Sequence, residues 1–75
     1  MSDNLDVNIF AQRFKEMREQ KRMNINQLSI EINIANQTLY QWERGRSKPG
    51  MDGIIAIAKF FNVSADYLLG LREYE

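Results

Sequence analysis

Apolar residues recur along this chain at helical spacing, in short stretches broken by turn-forming residues. From about residue 9 to 21, Ile9, Phe10, Phe14 and Met17 fall on one face, with Asn8 as the expected N-cap. Asn24 is the cap candidate for a second segment, in which Ile25, Leu28 and Ile32 share a side. That segment also reads another way. Leu28, Ile30, Ile32 and Ile34 alternate at period two, as a half-buried strand would, and the pattern alone leaves both readings open. Asn33 has the chemistry of a turn, because Asn tolerates the left-handed backbone region. A third short helix is expected over about residues 36–43, with Leu39 and Trp42 inward and Gly45 ending it. A fourth follows over about 51–61, with Gly50 as N-cap and Met51, Ile54, Ile57, Ala58 and Phe61 on its inner side. Asn62 stops it. Ser64 then caps a last helix reaching about residue 69, Gly70 ends that one, and the tail beyond is expected to fray.

Five short helices on short connections predict a compact all-α domain. With 75 residues there is room for one domain with a modest core. The expected division is a flexible segment over 1–7, the domain over 8–70 and a tail over 71–75. The chain has no cysteine and no histidine. Disulfides and thiolate sites are therefore excluded, and the usual zinc ligands and the commonest general base are missing. No acidic loop is dense enough for calcium or magnesium, so no metal and no cofactor are expected. Neither a nucleophile–base pair nor a phosphate-cradling glycine loop stands out, and the carboxylates are scattered, so the chain is not read as an enzyme. No apolar run approaches the roughly 20 residues that span a bilayer. The first six residues are polar and acidic, unlike a signal peptide, and a cytoplasmic protein without membrane contact is expected.

The net charge of zero argues against a nucleic-acid partner until its distribution is considered. Between residues 13 and 48 stand Arg13, Lys15, Arg18, Lys21, Arg22, Arg44, Arg46 and Lys48, against only Glu16, Glu19, Glu31 and Glu43. That middle segment carries an excess of four positive charges, balanced by the two ends. A basic side can engage phosphates locally, because salt screens charges beyond about 10 Å.

Three runs carry a resemblance. Residues 13–21, Arg-Phe-Lys-Glu-Met-Arg-Glu-Gln-Lys, resemble the first helix of the phage-repressor, Cro and XRE-like helix-turn-helix family. Residues 41–49, Gln-Trp-Glu-Arg-Gly-Arg-Ser-Lys-Pro, are similar to the end of that family's recognition helix and its following loop. Residues 57–69, Ile-Ala-Lys-Phe-Phe-Asn-Val-Ser-Ala-Asp-Tyr-Leu-Leu, resemble its fourth and fifth helices. The match runs in order over about residues 9–70. It implies a lambda-repressor-like fold of five helices, with the helix-turn-helix formed by the second and third, and it resolves residues 28–34 in favour of helix. It also implies that the second helix crosses the DNA backbone while the third enters the major groove. Ser29 falls where the family has a small residue and Asn33 where it has Gly, and Arg18 and Glu43 match a buried ion pair. Three positions depart from the family, among them Ile30, which falls on a face the family normally exposes. Ile25 replaces a Gln that commonly opens the second helix, and Ala35 stands where Ser or Thr commonly caps the third.

With Leu39 and Trp42 inward, the opposite face of the third helix carries Asn36, Gln37, Tyr40 and Gln41. Asn and Gln amides can bond adenine at N6 and N7 together, which reads sequence in the major groove. By analogy with the family, Asn36, Gln37 and Gln41 are the expected base readers, with Tyr40 on a phosphate or a thymine methyl. Arg44, Arg46 and Lys48 would line the DNA backbone, joined by the N–H groups at the start of the second helix near Asn24 and Ile25. Taken singly, a polar helix face is ordinarily just solvated and a basic loop ordinarily just surface; it is their occurrence together at family spacing that points to duplex DNA and transcriptional regulation, as a repressor. A homodimer through the fifth helix and tail, using Tyr67, Leu68, Leu71 and Tyr74, is the expected assembly. The competing expectation is a protein-interaction module of the same fold, such as an antitoxin or adaptor, docking a partner protein through Ile25 and Ile30.

Overall fold

The computed structural model describes residues 7–74. The segment expected to be flexible over 1–7 lies outside them, except that Val7 already belongs to the first helix. Five helices follow in order: α1 (Val7–Gln20), α2 (Ile25–Ile32), α3 (Asn36–Glu43), α4 (Met51–Phe61) and α5 (Ala65–Leu68). There is no strand among the described residues.

The ambiguous stretch is helical because its ends are written for a helix. The Asn24 side chain accepts from the Gln27 N–H at 2.7 Å, and the Gln27 side chain accepts from the Asn24 N–H at 2.9 Å. This reciprocal box satisfies two amides that a helix start leaves without intrahelical partners. Asn33 closes the helix in the left-handed region, with φ 59° and its N–H returned to the Ser29 carbonyl. Burial agrees with the helical reading. Ile25 and Leu28, three apart, face the core, while Ile30 is 72% exposed. A strand would have put Leu28 and Ile30 on the same side.

Other ends follow the same chemistry. Asn62 caps α4 at φ 57°, and Ser64 accepts from the Tyr67 N–H at 3.0 Å to open α5. Two details differ from expectation at α1. Asn8 is not its N-cap but lies in its first turn, because helical backbone already begins at Val7. At the other end Arg22 takes φ 56°, a region that the side chain disfavours, and its N–H closes on the Glu19 carbonyl at 2.9 Å.

The core forms where α1 lays Phe10, Phe14 and Met17 against the other helices. Phe10 and Phe14 stack at 5.6 Å, and both meet the Trp42 ring edge-on at 6.2 and 6.4 Å. Phe61 closes on Phe14 at 6.5 Å. Pairs in such arrangements contribute on the order of 1 kcal/mol each beyond their burial.

Four expectations are corrected. Met51 is 79% exposed rather than core. It is the first residue of α4, and helical side chains lean toward the N-terminus, so it projects off the helix end and past the core. Ile25 is only 9% exposed, so it cannot form a docking patch with Ile30. Finally, the tail past Gly70 does not fray through Arg72. The Arg13 guanidinium stacks on the Tyr67 ring and donates to the Tyr67 carbonyl and, at 2.8 Å, to the Arg72 carbonyl. The Leu71 N–H also returns to the Asp66 carbonyl at 2.8 Å. Leu68 is fully buried, which removes it from the expected dimer surface, while Leu71 and Tyr74 are exposed.

Candidate nucleic-acid interface

Everything that fixes α3 acts from behind it. Leu39 is fully buried and Trp42 nearly so. Behind the indole, α4 approaches at Gly53, where a Cβ would stand 2.7 Å from the Trp42 ring and 2.9 Å from the Pro49 Cβ. The absence of a side chain there lets α4 close on the indole. Nothing in the periodicity of the sequence singled out this glycine.

At the far end of α3, Glu43 takes both prongs of the Arg18 guanidinium. Nε reaches Oε2 at 2.8 Å and Nη2 reaches Oε1 at 2.9 Å. Nη1 donates to the Met23 carbonyl at 2.7 Å. The two side chains are 15% and 11% exposed, so this bidentate pair is largely shielded from water. The hydrogen bonds to Glu43 raise the Arg18 pKa above its ordinary value, against the lowering effect of burial. One arginine thereby ties together the end of α1, the approach to α2 and the end of α3.

The opposite face of α3 is open. Asn36, Gln37 and Tyr40 are exposed and Gln41 is half-buried. These four, with Arg44 and Arg46, line a single shallow groove. The loop after α3 turns back through Gly45 at φ 72°, and the Arg46 N–H bonds the Gln41 carbonyl at 2.9 Å, which brings the two arginines to the groove. The Arg44 guanidinium lies 5.7 Å from the centre of the Tyr40 ring. The expected base-reading residues and two of the expected basic residues are thus brought together. Lys48 is exposed on the same loop but does not line the groove.

A second shallow groove runs beside the first, lined by Asn24, Ile25, Asn26, Asn36, Tyr40 and the edge of the Arg18–Glu43 pair. Asn36 and Tyr40 line both grooves and form the ridge between them. Asn24 stands at the start of α2 as expected, but its backbone N–H is not free for an anion, because the capping box occupies it. The first-turn amides left to an outside acceptor are those of Ile25 and Asn26. Asn26 itself escaped the reading of the sequence. It is an exposed polar residue in the first turn of α2, and its Oδ1 accepts from the Asn36 Nδ2 at 3.2 Å. Its place next to Ile25, where the family commonly has a polar side chain, was the available signal.

Among the described residues no helix is long and apolar enough to cross a membrane, and no cluster of potential metal ligands occurs.

Comparison with known proteins agrees with this geometry. A model of the helix-turn-helix family matches residues 14–68. The HTH-type transcriptional regulator YobD of Bacillus subtilis is 31% identical over 65 residues, covering 87% of this chain and 58% of that protein. Repressor protein C2 of Salmonella phage P22 is 25% identical over 65 residues, covering 87% of this chain and 30% of the repressor. The chain therefore spans between about a third and three fifths of these relatives. In three dimensions it is similar to the solution structure of the SOS-response transcriptional repressor LexA from Eubacterium rectale. The TM-score is 0.84 at 20% identity, over all of this chain and 80% of that one, a likeness of fold. The bidentate pair behind α3, the capped α2 and the family match across the helical core together identify this chain as a member of the XRE-type, phage-repressor-like helix-turn-helix family.

Proposed function

We propose that this domain binds duplex DNA sequence-specifically and regulates transcription, with α3 lying in the major groove. One observation carries the reading: Asn36, Gln37, Tyr40 and Gln41 meet Arg44 and Arg46 in one open groove, on a helix held from behind by Leu39 and Trp42. The amides offer paired donors and acceptors to base edges, with Asn36, Gln37 and Gln41 reading bases and Tyr40 beside them. Arg44, Arg46 and Lys48 neutralise phosphates on the adjacent strand, and the start of α2 adds the Ile25 and Asn26 amides and the Asn24 side-chain nitrogen. Repression is the simpler outcome, because occupying a promoter needs no contact beyond this interface. Two copies paired through Tyr67, Leu71 and Tyr74 would read half-sites about 34 Å apart in the cytoplasm. The reading assigns no catalysis.

The test is selection of bound duplexes from a random pool, followed by titration of the winner at several salt concentrations. Salt-sensitive binding whose sequence preference disappears in Asn36→Ala/Gln37→Ala is the expected result. Absence of binding even at low salt, with a partner protein retained instead, would overturn it. The docking alternative has lost half of its expected surface, since Ile25 is buried and Ile30 is left alone.

A further inference from the structure

Tyr40 brings to the two grooves a surface that their amides and charges lack, and what it can read rests on the proposed binding of duplex DNA. Asn36, Tyr40 and Arg44 follow one another at intervals of four along α3 and into its C-cap, so they form one row on the exposed face. Among the described residues that line the grooves, Tyr40 and Ile25 alone carry an apolar body, and the others are amides or charged groups. Ile25 is 9% exposed and Tyr40 50%, so the open apolar surface is essentially the tyrosine ring. The ring stands on the ridge between the grooves and not at their rim. It is also held in place, because the Arg44 guanidinium lies 5.7 Å from its centre, within the range of a cation–π contact. An apolar surface gains free energy when another apolar group covers it. Along the major groove the base edges offer donors and acceptors, and the apolar exception is the methyl group at C5 of thymine. Cytosine methylated at C5 carries the same group at the same place. We infer that Tyr40 is a specificity-determining residue that takes the C5-methyl group of a pyrimidine against its ring. The amides of Asn36, Gln37 and Gln41 read donors and acceptors and leave that methyl group unread, so the ring adds a distinction they cannot make. A duplex with a pyrimidine at this place binds more tightly when the pyrimidine carries the methyl group, whether as thymine or as 5-methylcytosine.

The experiment uses the duplex selected by the wild-type domain. Each thymine is replaced in turn by deoxyuridine, which removes only the methyl group, and each cytosine in turn by 5-methylcytosine, which adds one. At one position or more, affinity should fall with uracil, or rise with 5-methylcytosine, by about fourfold, the worth of one methyl group taken out of water. A loss at a thymine or a gain at a cytosine identifies which pyrimidine supplies the group. In Tyr40→Ala that difference should vanish, while the preferences at other base pairs persist. Tyr40→Phe keeps the ring without its hydroxyl and should keep the difference. Affinity blind to the methyl group at every pyrimidine, a difference that survives in Tyr40→Ala, or a Tyr40→Phe as blind as Tyr40→Ala overturns the role. So does a Tyr40→Ala domain that loses every sequence preference or all binding, because the ring would then support the fold and not one contact. In each of these cases the wild-type domain still prefers its selected duplex, and the DNA-reading function stands without this role. If the wild-type domain prefers no duplex at all, the two fall together.

Discussion

The Arg18 guanidinium directs all its nitrogens inward, two to the Glu43 carboxylate and one to the Met23 carbonyl. Removing the carboxylate leaves a largely buried cation with one remaining partner, which costs more than the intact pair contributes. Glu43→Ala is therefore expected to destabilise the domain by about 2 kcal/mol, a fall on the order of 10 °C in Tm by calorimetry. Because the folded Arg18 pKa is raised, the stability tied to its charge is fully present below the ordinary guanidinium value. It is lost only as pH rises through the folded one, so neutral and acidic solutions leave it intact. This pair was legible in the sequence, though only through the family resemblance, since 25 residues separate its members. Gly53 was not legible. Its importance comes from the indole of Trp42, eleven positions earlier, and no local pattern reports that approach. Gly53→Ala would place a Cβ 2.7 Å from the ring, and overpacking of this kind costs about 1–3 kcal/mol. Chemical denaturation should show that loss even though alanine favours helix, and an unchanged midpoint would mean that α4 can slide away from Trp42.

The two helices of the motif start in different ways. α2 opens with a complete capping box, whereas α3 opens at Ala35, whose backbone is extended at ψ 143° and whose side chain caps nothing. A serine at 35 fits that backbone and could accept from the Gln37 or Thr38 N–H. Ala35→Ser is expected to stabilise the domain by about 1 kcal/mol. The gain should appear in amide exchange as slower opening of the first turn of α3. Caps and helix bounds were largely readable, because a cap bond spans only three residues and a helical bond four. The exceptions are instructive. Asn8 was misassigned because helical backbone already begins at Val7, and Arg22 was missed because an arginine rarely adopts φ 56°. The strand-like alternation of residues 28–34 could not be resolved from spacing alone. It was settled by the Asn24–Gln27 box and by burial on one helical face.

Across the whole molecule, a neutral chain gathers Arg44, Arg46 and Lys48 on one exposed loop beside α3, while Arg13 is drawn off to hold the C-terminal residues against α1. Counting charges by sequence position overstated the basic side to that extent. The proposed DNA affinity should then depend on the few cations near the groove. Arg46→Ala is expected to weaken binding similarly on all duplexes and to reduce the slope of log affinity against log salt by about 1. A change confined to the preferred sequence would make Arg46 a base reader instead.

By itself, the sequence determined the helices, most of their caps, the lack of the usual zinc ligands and the stripe of amides opposite Leu39 and Trp42. Those features depend on residue chemistry and on bonds reaching no further than about one helical turn. Tertiary packing decided the rest. It buried Ile25, left Met51 in solvent, tied down Arg72, closed α4 on Gly53 and joined Asn26 to Asn36. Each of these depends on which surface another element covers. A chain can encode a helix locally, but what a side chain meets is fixed only when distant segments pack.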